Sequence, residues 1–513
     1  MPEKYFNLEN PLSISLNKPK QDFCRNDIIK AVKLHDIERI TFHYTGLDSK
    51  FKELKIPVSN LYQLERILAD GERVDGSSLF KGMIDSSLSD LYVVPLYKSA
   101  FINPFDNRSL DLTCRYFDKT GSLAGFTLDN ILGNAYSLFK KNAGCELFAL
   151  GELEFFLVSE SNSSLFPANK QKSYHLSSPF LKNGKILDEM VRTITQITGC
   201  IKYAHSEVGF IDHIRSNTDE IKGKFAEQME IEFLPVPIDE AGDHLMLSRW
   251  LIRNIAYKHN CIATFTPKLE EGVAGNGFHI HVALMKNNKN LMTDENNKLS
   301  LKAKRIIGGL CKYAESLTAF GNTVSSAYLR LVPNQEAPTK ICWSDLNRSA
   351  MIRVPLGWSG INNLAGVINK NDDNKFIETE GRQTVELRSP DGSAIVYLLL
   401  AGITLSAEWA LNSDESLNLT DKNYVQGNIF RDASVINNLS SLPASCVDSS
   451  KILLRSRELY ERKNIFPSSV IDYTAKMLMN ENDENMNKIL ADLPADDRLL
   501  ETRKIMHKDL HKH

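Results

Sequence analysis

Apolar and polar positions alternate with period two in four segments of this chain, which predicts four strands with one apolar face each. In GNGFHIHVAL (275–284), Phe278, Ile280, Val282 and Leu284 fall on one side, His279 and His281 on the other. In GELEFFLV, Glu152 and Glu154 alternate with Leu153, Phe155 and Leu157. In AEQMEIEFLPVP, Gln228, Glu230 and Glu232 alternate with Met229, Ile231 and Phe233. In RQTVELRSPDG, Glu386 and Arg388 alternate with Val385 and Leu387.

Around these strands the pattern predicts a small mixed domain over residues 1–117. It has strands at RITFHYTG and LYVVPLY and a helix near NLYQLERIL. Over residues 118–513, apolar positions recur at helical spacing in LDNILGNAYSLFKKNA, DEMVRTITQIT and DHLMLSRWLIRNIAYKHN, between the alternating strands. The run AIVYLLLAGITL (394–405) is too short to cross a bilayer and predicts a buried helix. Three Asn- and Lys-rich stretches, MKNNKNLMTDENNK, NKNDDNK and NENDENMNK, predict solvated surface loops. The part from residue 412 onward reads as helices and loops, and the tail HKDLHKH as a frayed basic end.

Composition narrows the function. The 513 residues are 42% hydrophobic and 24% charged, ordinary for globular protein with a substantial core. A net charge of −3 offers no polyanion-binding surface, so nucleic acid is not an expected partner. The eight cysteines form no C-x-x-C pair, which suits reduced thiols in a cytosol. The segment MPEKYFNLEN has no apolar core of a signal peptide. A cytoplasmic protein without a membrane partner is expected.

A lone H-x-H is a weak metal signal, and a solvated outer face explains any one alternating strand. Four such strands side by side would join their polar faces into one acidic wall. Carboxylates at that density repel one another unless cations hold them, so the wall predicts divalent metal. Several carboxylates with imidazole form a hard, oxygen-rich donor set, suited to Mg²⁺ or Mn²⁺. The chain also carries Arg330, Arg348, Arg353 and Arg388 in short succession. Metal-binding carboxylates facing convergent guanidiniums are the equipment for phosphoryl transfer, in which charge on the equatorial oxygens is neutralised. The sequence holds no Walker motif and no kinase-type glycine loop, so a nucleotide site is built from other parts.

Taken in order, VDGSS, GELEFF, HSEV followed by EQMEIE, GNGFHIH, RLVPNQEAP, NRSAMIRVP and VELRSPD resemble the motifs of glutamine synthetase, in its type I bacterial form. The resemblance runs from residue 75 to 406. It implies an α+β fold: an N-terminal β-grasp domain, and a C-terminal catalytic domain whose curved antiparallel sheet, flanked by helices, lines a funnel. Glu154, Glu207 and Glu230 resemble the ligands of one metal; Glu152, His279 and Glu386 resemble those of a second. His281 is similar to a family histidine near the nucleotide. The resemblance further implies that Arg348 and Arg388 stabilise the transferring phosphoryl group, with Arg353 on the nucleotide phosphates. It makes Arg330 the clamp on the substrate α-carboxylate and Glu336 the flap carboxylate that closes the site. Asp75, helped by Ser78, would bind and deprotonate ammonium from a neighbouring subunit. Glu154, Gly275, His279, Arg330, Glu336, Arg348 and Arg388 would thus surround the amino acid. Glu152, His281, Arg348 and Arg353 would surround ATP.

The implied reaction joins ammonia to the γ-carboxylate of L-glutamate through γ-glutamyl phosphate. Two metal ions and ATP serve each site, in a homododecamer of two stacked hexameric rings. Two other functions fit the same parts: a ligase joining glutamate to a small amine or polyamine, and a non-catalytic scaffold on this fold. Five departures from the family pattern matter. The segment DHIRSNTDEIKGK separates Glu207 from Glu230, leaving Glu230 and Glu232 as alternatives, and Glu227 replaces a glycine. Ala274 stands where the family carries an asparagine over the substrate amino group, and Ala283 where it carries a serine. The tyrosine motif modified by adenylylation is not recognisable around LNLTDKNYVQGN.

Overall fold

The computed structural model describes residues 6–84, 89–160, 165–332, 337–357, 364–371, 381–427 and 438–512. The N-terminal sheet contains β1 (Arg39–Thr45), β2 (Phe51–Pro57), β3 (Glu72–Asp75), β4 (Asp90–Pro95), β5 (Phe101–Ile102) and β6 (Ser109–Phe117). Its order is β2-β1-β6-β4-β3, with β5 on β6, and β1 runs parallel to β6 while the other pairs are antiparallel. The helix Leu61–Asp70 starts at Asn60, whose side chain accepts from the Gln63 amide, and it buries Leu64, Ile67 and Leu68.

The second sheet is larger. It comprises β7 (Glu146–Ser159), β8 (Ile201–Ile211), β9 (Phe225–Phe233), β10 (Val236–Pro237), β11 (Ile262–Thr264), β12 (Phe278–Lys286), β13 (Lys289–Asn290), β14 (Trp343–Asp345), β15 (Ile352–Val354) and β16 (Val385–Leu387). The main order is β14-β15-β16-β12-β7-β9-β8. Every pair is antiparallel except β14 with β15. One face carries Leu153, Phe155, Met229, Ile231, Phe278, Ile280 and Val282 into the main core. That is the apolar side of the period-two pattern.

Helices cover this apolar face. The run that predicts a buried helix forms Val396–Leu411, apolar on all sides and packed against Leu301–Gly321 and Leu128–Ala143. The approach to Leu301–Gly321 is close enough to need glycine: a Cβ on Gly309 would lie 2.5 Å from the Ser406 carbonyl oxygen. Among the described residues no helix is long and apolar enough to cross a membrane.

Three polar segments turn out to be anchored, two of them against the reading of a frayed end or a solvated loop. The tail HKDLHKH is docked, with Leu510 buried and Lys508 and Lys512 paired to Glu481. The polar segment between Glu207 and Glu230 anchors itself through Ile214 and Ile221, in a second apolar cluster with Phe156, Val158, Leu269, Val273 and Leu510. The stretch MKNNKNLMTDENNK begins as a β12–β13 hairpin and buries Asn290 and Met292. In each case a few apolar or paired residues among many charged ones decide the outcome.

Candidate active site

The polar face of the larger sheet encloses a cavity of about 1360 Å³. Register explains why its carboxylates converge. β7 lies between β12 and β9, placing Glu152 opposite both His279 and Glu232, and Glu154 opposite Glu230. On the far side of β12, Glu386 pairs with His281, and Arg353 with Glu386. Residues directly opposite on adjacent strands project to the same face, so the separate alternations become one wall.

Of the residues to which the resemblance gave a role, all but Asp75, Ser78 and Glu336 line this cavity. Glu336 lies outside the described residues. Asp75 is exposed at the end of β3, where it caps the turn Gly76–Leu79 and accepts from the Ser77 and Ser78 hydroxyls at 2.6 Å. Those bonds hold its carboxyl below the usual range.

Glu152 is the hub. Its Oε2 lies 2.6 Å from His279 Nδ1 and its Oε1 2.8 Å from His281 Nε2. Burial opposes its charge, but the His281 and His279 imidazoles outweigh burial and hold it well below the usual carboxylate range. Glu386, fully buried, sits between Arg353 at 2.9 Å and Arg388 at 2.5 Å. Glu230, with His205 Nε2 at 3.2 Å, goes the other way: burial, then Glu152, Glu154, Glu207 and Glu232, push its carboxyl well above its ordinary value.

Three groups of donors each converge to within 4.8 Å: Glu152, His279 and Glu386; Glu152, Glu232 and His281; His205, Glu207 and Glu230. The Glu232 Oε2 atom, buried, has no hydrogen-bond partner among the described residues. Hard oxygen donors around a wall whose carboxylates raise one another's pKa fit divalent cations of the Mg²⁺ and Mn²⁺ type.

Beside the wall lies a tight corner. The Gly277 amide donates to Glu154 Oε2 at 2.8 Å, and Gln228 Nε2 donates to that oxygen at 3.2 Å and to the Gly275 carbonyl at 3.0 Å. A Cβ on Gly277 would lie 2.6 Å from His279 Nε2, 2.9 Å from Arg330 Nη2 and 3.1 Å from Glu154 Oε1. The glycine therefore keeps open the space between these three groups. Sequence reasoning did not single out Gly277, although it stands within the opening motif. It also passed over His205 and Tyr174, whose rings pack 5.3 Å apart at the rim, although His205 stands opposite Glu230 on β8, two residues before Glu207. Arg348, exposed at the same rim, hydrogen-bonds to Tyr174.

Residues 130–491 match the family described as glutamine synthetase, catalytic domain, and residues 36–119 match glutamine synthetase, beta-Grasp domain. The chain belongs to the glutamine synthetase family. A glutamine synthetase of Thermus thermophilus is 30% identical over 390 residues, covering 74% of this chain and 78% of the relative. One from Staphylococcus aureus is 29% identical over 395 residues, covering 75% and 79%. Among solved structures, Plasmodium falciparum glutamine synthetase superposes with a TM-score of 0.70 at 21% identity, over 93% of this chain and 98% of that one. Ligand-free GmaS superposes at 0.69 and 18% identity, over 92% and 98%. The fold is that of the family: a β-grasp domain followed by a catalytic domain with a curled sheet and helices. Membership makes the chain one of a family of ATP-dependent ligases that use divalent metal.

Proposed function

We propose that this chain joins ammonia to the γ-carboxylate of L-glutamate at the expense of ATP, releasing glutamine, ADP and phosphate. The observation that carries the reading is the shared face of Glu152, His279 and Glu386, with Arg353 and Arg388 bonded to Glu386 and Arg348 at the rim. Glu152, His279 and Glu386 would hold the metal beside the nucleotide phosphates. Glu154, Glu207 and Glu230 would hold the one beside the amino acid, with His205 within reach of the last two. When bound, the two ions supply charge neutralisation for the phosphates and the γ-carboxylate.

The protein's own groups do the rest. Arg330, braced against the Ser389 carbonyl at 3.1 Å, takes the α-carboxylate. Gly275 and Gly277 leave room for the amino acid beneath the wall. The γ-carboxylate attacks the γ-phosphate in line, while Arg348 and Arg388 stabilise charge on the moving phosphoryl group, and Arg353 and His281 stand by the nucleotide. Ammonia then displaces phosphate from the acyl phosphate, a far better acyl donor than free carboxylate. Glu336 closes the site against water during that step.

We assign residues 1–117 to the β-grasp unit and 118–513 to the catalytic unit. Asp75, outside the cavity of its own chain, would complete the ammonium site of a neighbour in a ring, two hexameric rings making a dodecamer. A contact of this head-to-tail kind closes into a ring when its rotation permits.

One observation favours a second reading, ligation of a small amine. His175 and His205 rings pack with centroids 4.1 Å apart, Tyr174 covers both, and Glu207 and Glu230 stand beside His205. Aromatic faces next to carboxylates suit an alkylammonium ion, and GmaS, a fold neighbour, is a gamma-glutamylmethylamide synthetase. Phosphate release from ATP and glutamate, compared across ammonium, methylammonium, putrescine and ethanolamine, separates the two. Highest kcat/KM with ammonium supports glutamine synthesis; a tenfold or greater preference for an amine replaces it with the second reading.

A further inference from the structure

The second apolar cluster joins three segments distant in sequence: the insertion (Ile214, Ile221), the loop over residues 267–276 (Leu269, Val273) and the C-terminal tail (Leu510). Polar contacts repeat the connection. His507, buried at the end of the helix Ala495–His507, lies with Nδ1 2.9 Å from Ser216 Oγ of the insertion and Nε2 2.9 Å from the Leu269 carbonyl oxygen. Arg503 Nε reaches both Glu270 oxygens, at 3.2 and 3.1 Å. The Thr264 and Thr266 hydroxyls donate to the carbonyls of Leu510 and Met506, and the carbonyls of the same threonines accept from Asn276 at the loop's other end.

This loop sits directly on Arg330. A Cβ on Gly275 would lie 3.2 Å from both Arg330 Cγ and Cδ and 2.3 Å from the Pro267 carbonyl oxygen, leaving no slack between loop and guanidinium stem. The tail also reaches the segment that leads into Arg330. Lys508 and Lys512 pair with Glu481 at 2.7 and 2.8 Å, and Glu481 accepts from the amide and hydroxyl of Ser325, just before the helix Ala327–Arg330.

We infer that His507 is a positioning residue: together with Arg503 it presses the 267–276 loop against Arg330 and so sets the affinity of the amino-acid end of the cavity. Burial lowers the His507 pKa, which keeps the ring neutral. Neutral imidazole then has the right polarity at each end, with Nε2–H donating to Leu269 and Nδ1 accepting the Ser216 hydroxyl. The insertion acquires a purpose in this arrangement, since Ser216 fixes the ring orientation of His507. The inference rests on the reading that glutamate occupies the Arg330 end.

The test compares His507→Ala, His507→Gln and Ser216→Ala with the wild type in the full-length protein. Amide hydrogen exchange over 267–276 is read first, without substrate, and then the KM values for glutamate and ATP. Loss of the His507 bond is expected to speed exchange in that loop, and to raise KM for glutamate, by about fivefold each. KM for ATP and kcat stay within about twofold. His507→Gln keeps a donor near the Leu269 carbonyl and recovers most of the effect. Ser216→Ala, which leaves the tail packing in place, reproduces a smaller shift and answers the question even if His507→Ala does not fold. Unchanged exchange over 267–276, or an equal rise of both KM values, overturns the inference. Faster loop exchange in a protein whose wild type turns over no glutamate would instead refute the proposed function and leave the positioning role standing.

Discussion

Glu152 and His279 stand directly opposite each other on β7 and β12, Oε2 to Nδ1 at 2.6 Å, with Glu386 Oε1 3.8 Å from the same nitrogen. The register of the two strands forces both side chains to one face. Burial, and then the charges of Glu152, Glu154, Glu207 and Glu232, push the Glu230 carboxyl up, and cations bound among these carboxylates would offset that repulsion. Mg²⁺ or Mn²⁺ is therefore expected to raise the melting temperature, with about 2.7 kcal/mol of stabilisation at a hundredfold excess over Kd. His279→Ala and Glu154→Ala reduce that gain. A wild-type melting curve indifferent to both ions would refute the metal assignment.

Gly277→Ala places a methyl group 2.6 Å from His279 Nε2 and 2.9 Å from Arg330 Nη2, so these side-chain ends must move aside. Overpacking costs about 1–3 kcal/mol in stability. Displacement of catalytic groups by about an ångström costs about 10² in kcat/KM. Both are measurable, by thermal melting and by steady-state phosphate release. Activity within twofold of wild type would show that this corner is not where substrate sits.

Asp75→Ala and Arg348→Ala each remove one half of a site that the proposed ring builds from two chains. Dissociated together and reassembled in equal amounts, the inactive variants are expected to regain about one site in four, since each site draws its halves independently. Background activity at every mixing ratio would show that each chain completes its own site. Sedimentation of the reassembled sample shows whether the ring re-formed.

Acid is expected to release the tail. Burial opposes the charge of Glu481, but bonds from Lys508, Lys512 and Ser325 lower its pKa from 4.5 to about 2. A depressed carboxyl pKa stabilises the folded arrangement above the ordinary value, and the contribution fades as pH falls from 4.5 toward 2. Exchange protection over 508–512 is predicted to decline across that window. In Glu481→Gln it is already low at neutral pH and nearly flat with pH. An identical pH profile in the two proteins would assign the acid response to other carboxylates.

Much of the acidic wall was legible in the sequence. Side-chain direction along a strand is set by parity, a property of neighbouring residues, so Glu152 with Glu154, Glu230 with Glu232, and His279 with His281 declare a shared face without any knowledge of the fold. The order of seven short motifs declared the family, and the unbroken apolar run at 394–405 declared the buried helix. Tertiary structure alone decided which strands are neighbours and in what register. Those pairings join residues far apart in the chain, as Glu152 with His279 or His281 with Glu386, and no local pattern encodes them. For the same reason Asp75 shows only a turn within its own segment, the cap of Gly76–Leu79, and the part in ammonium binding proposed for it would need a neighbouring chain. The tail misled because charged residues outnumber Leu510, and in the insertion they likewise outnumber Ile214 and Ile221, which anchor it. What holds these segments down is a handful of buried side chains and the partners His507 and Glu481 find on distant elements, which composition averages away.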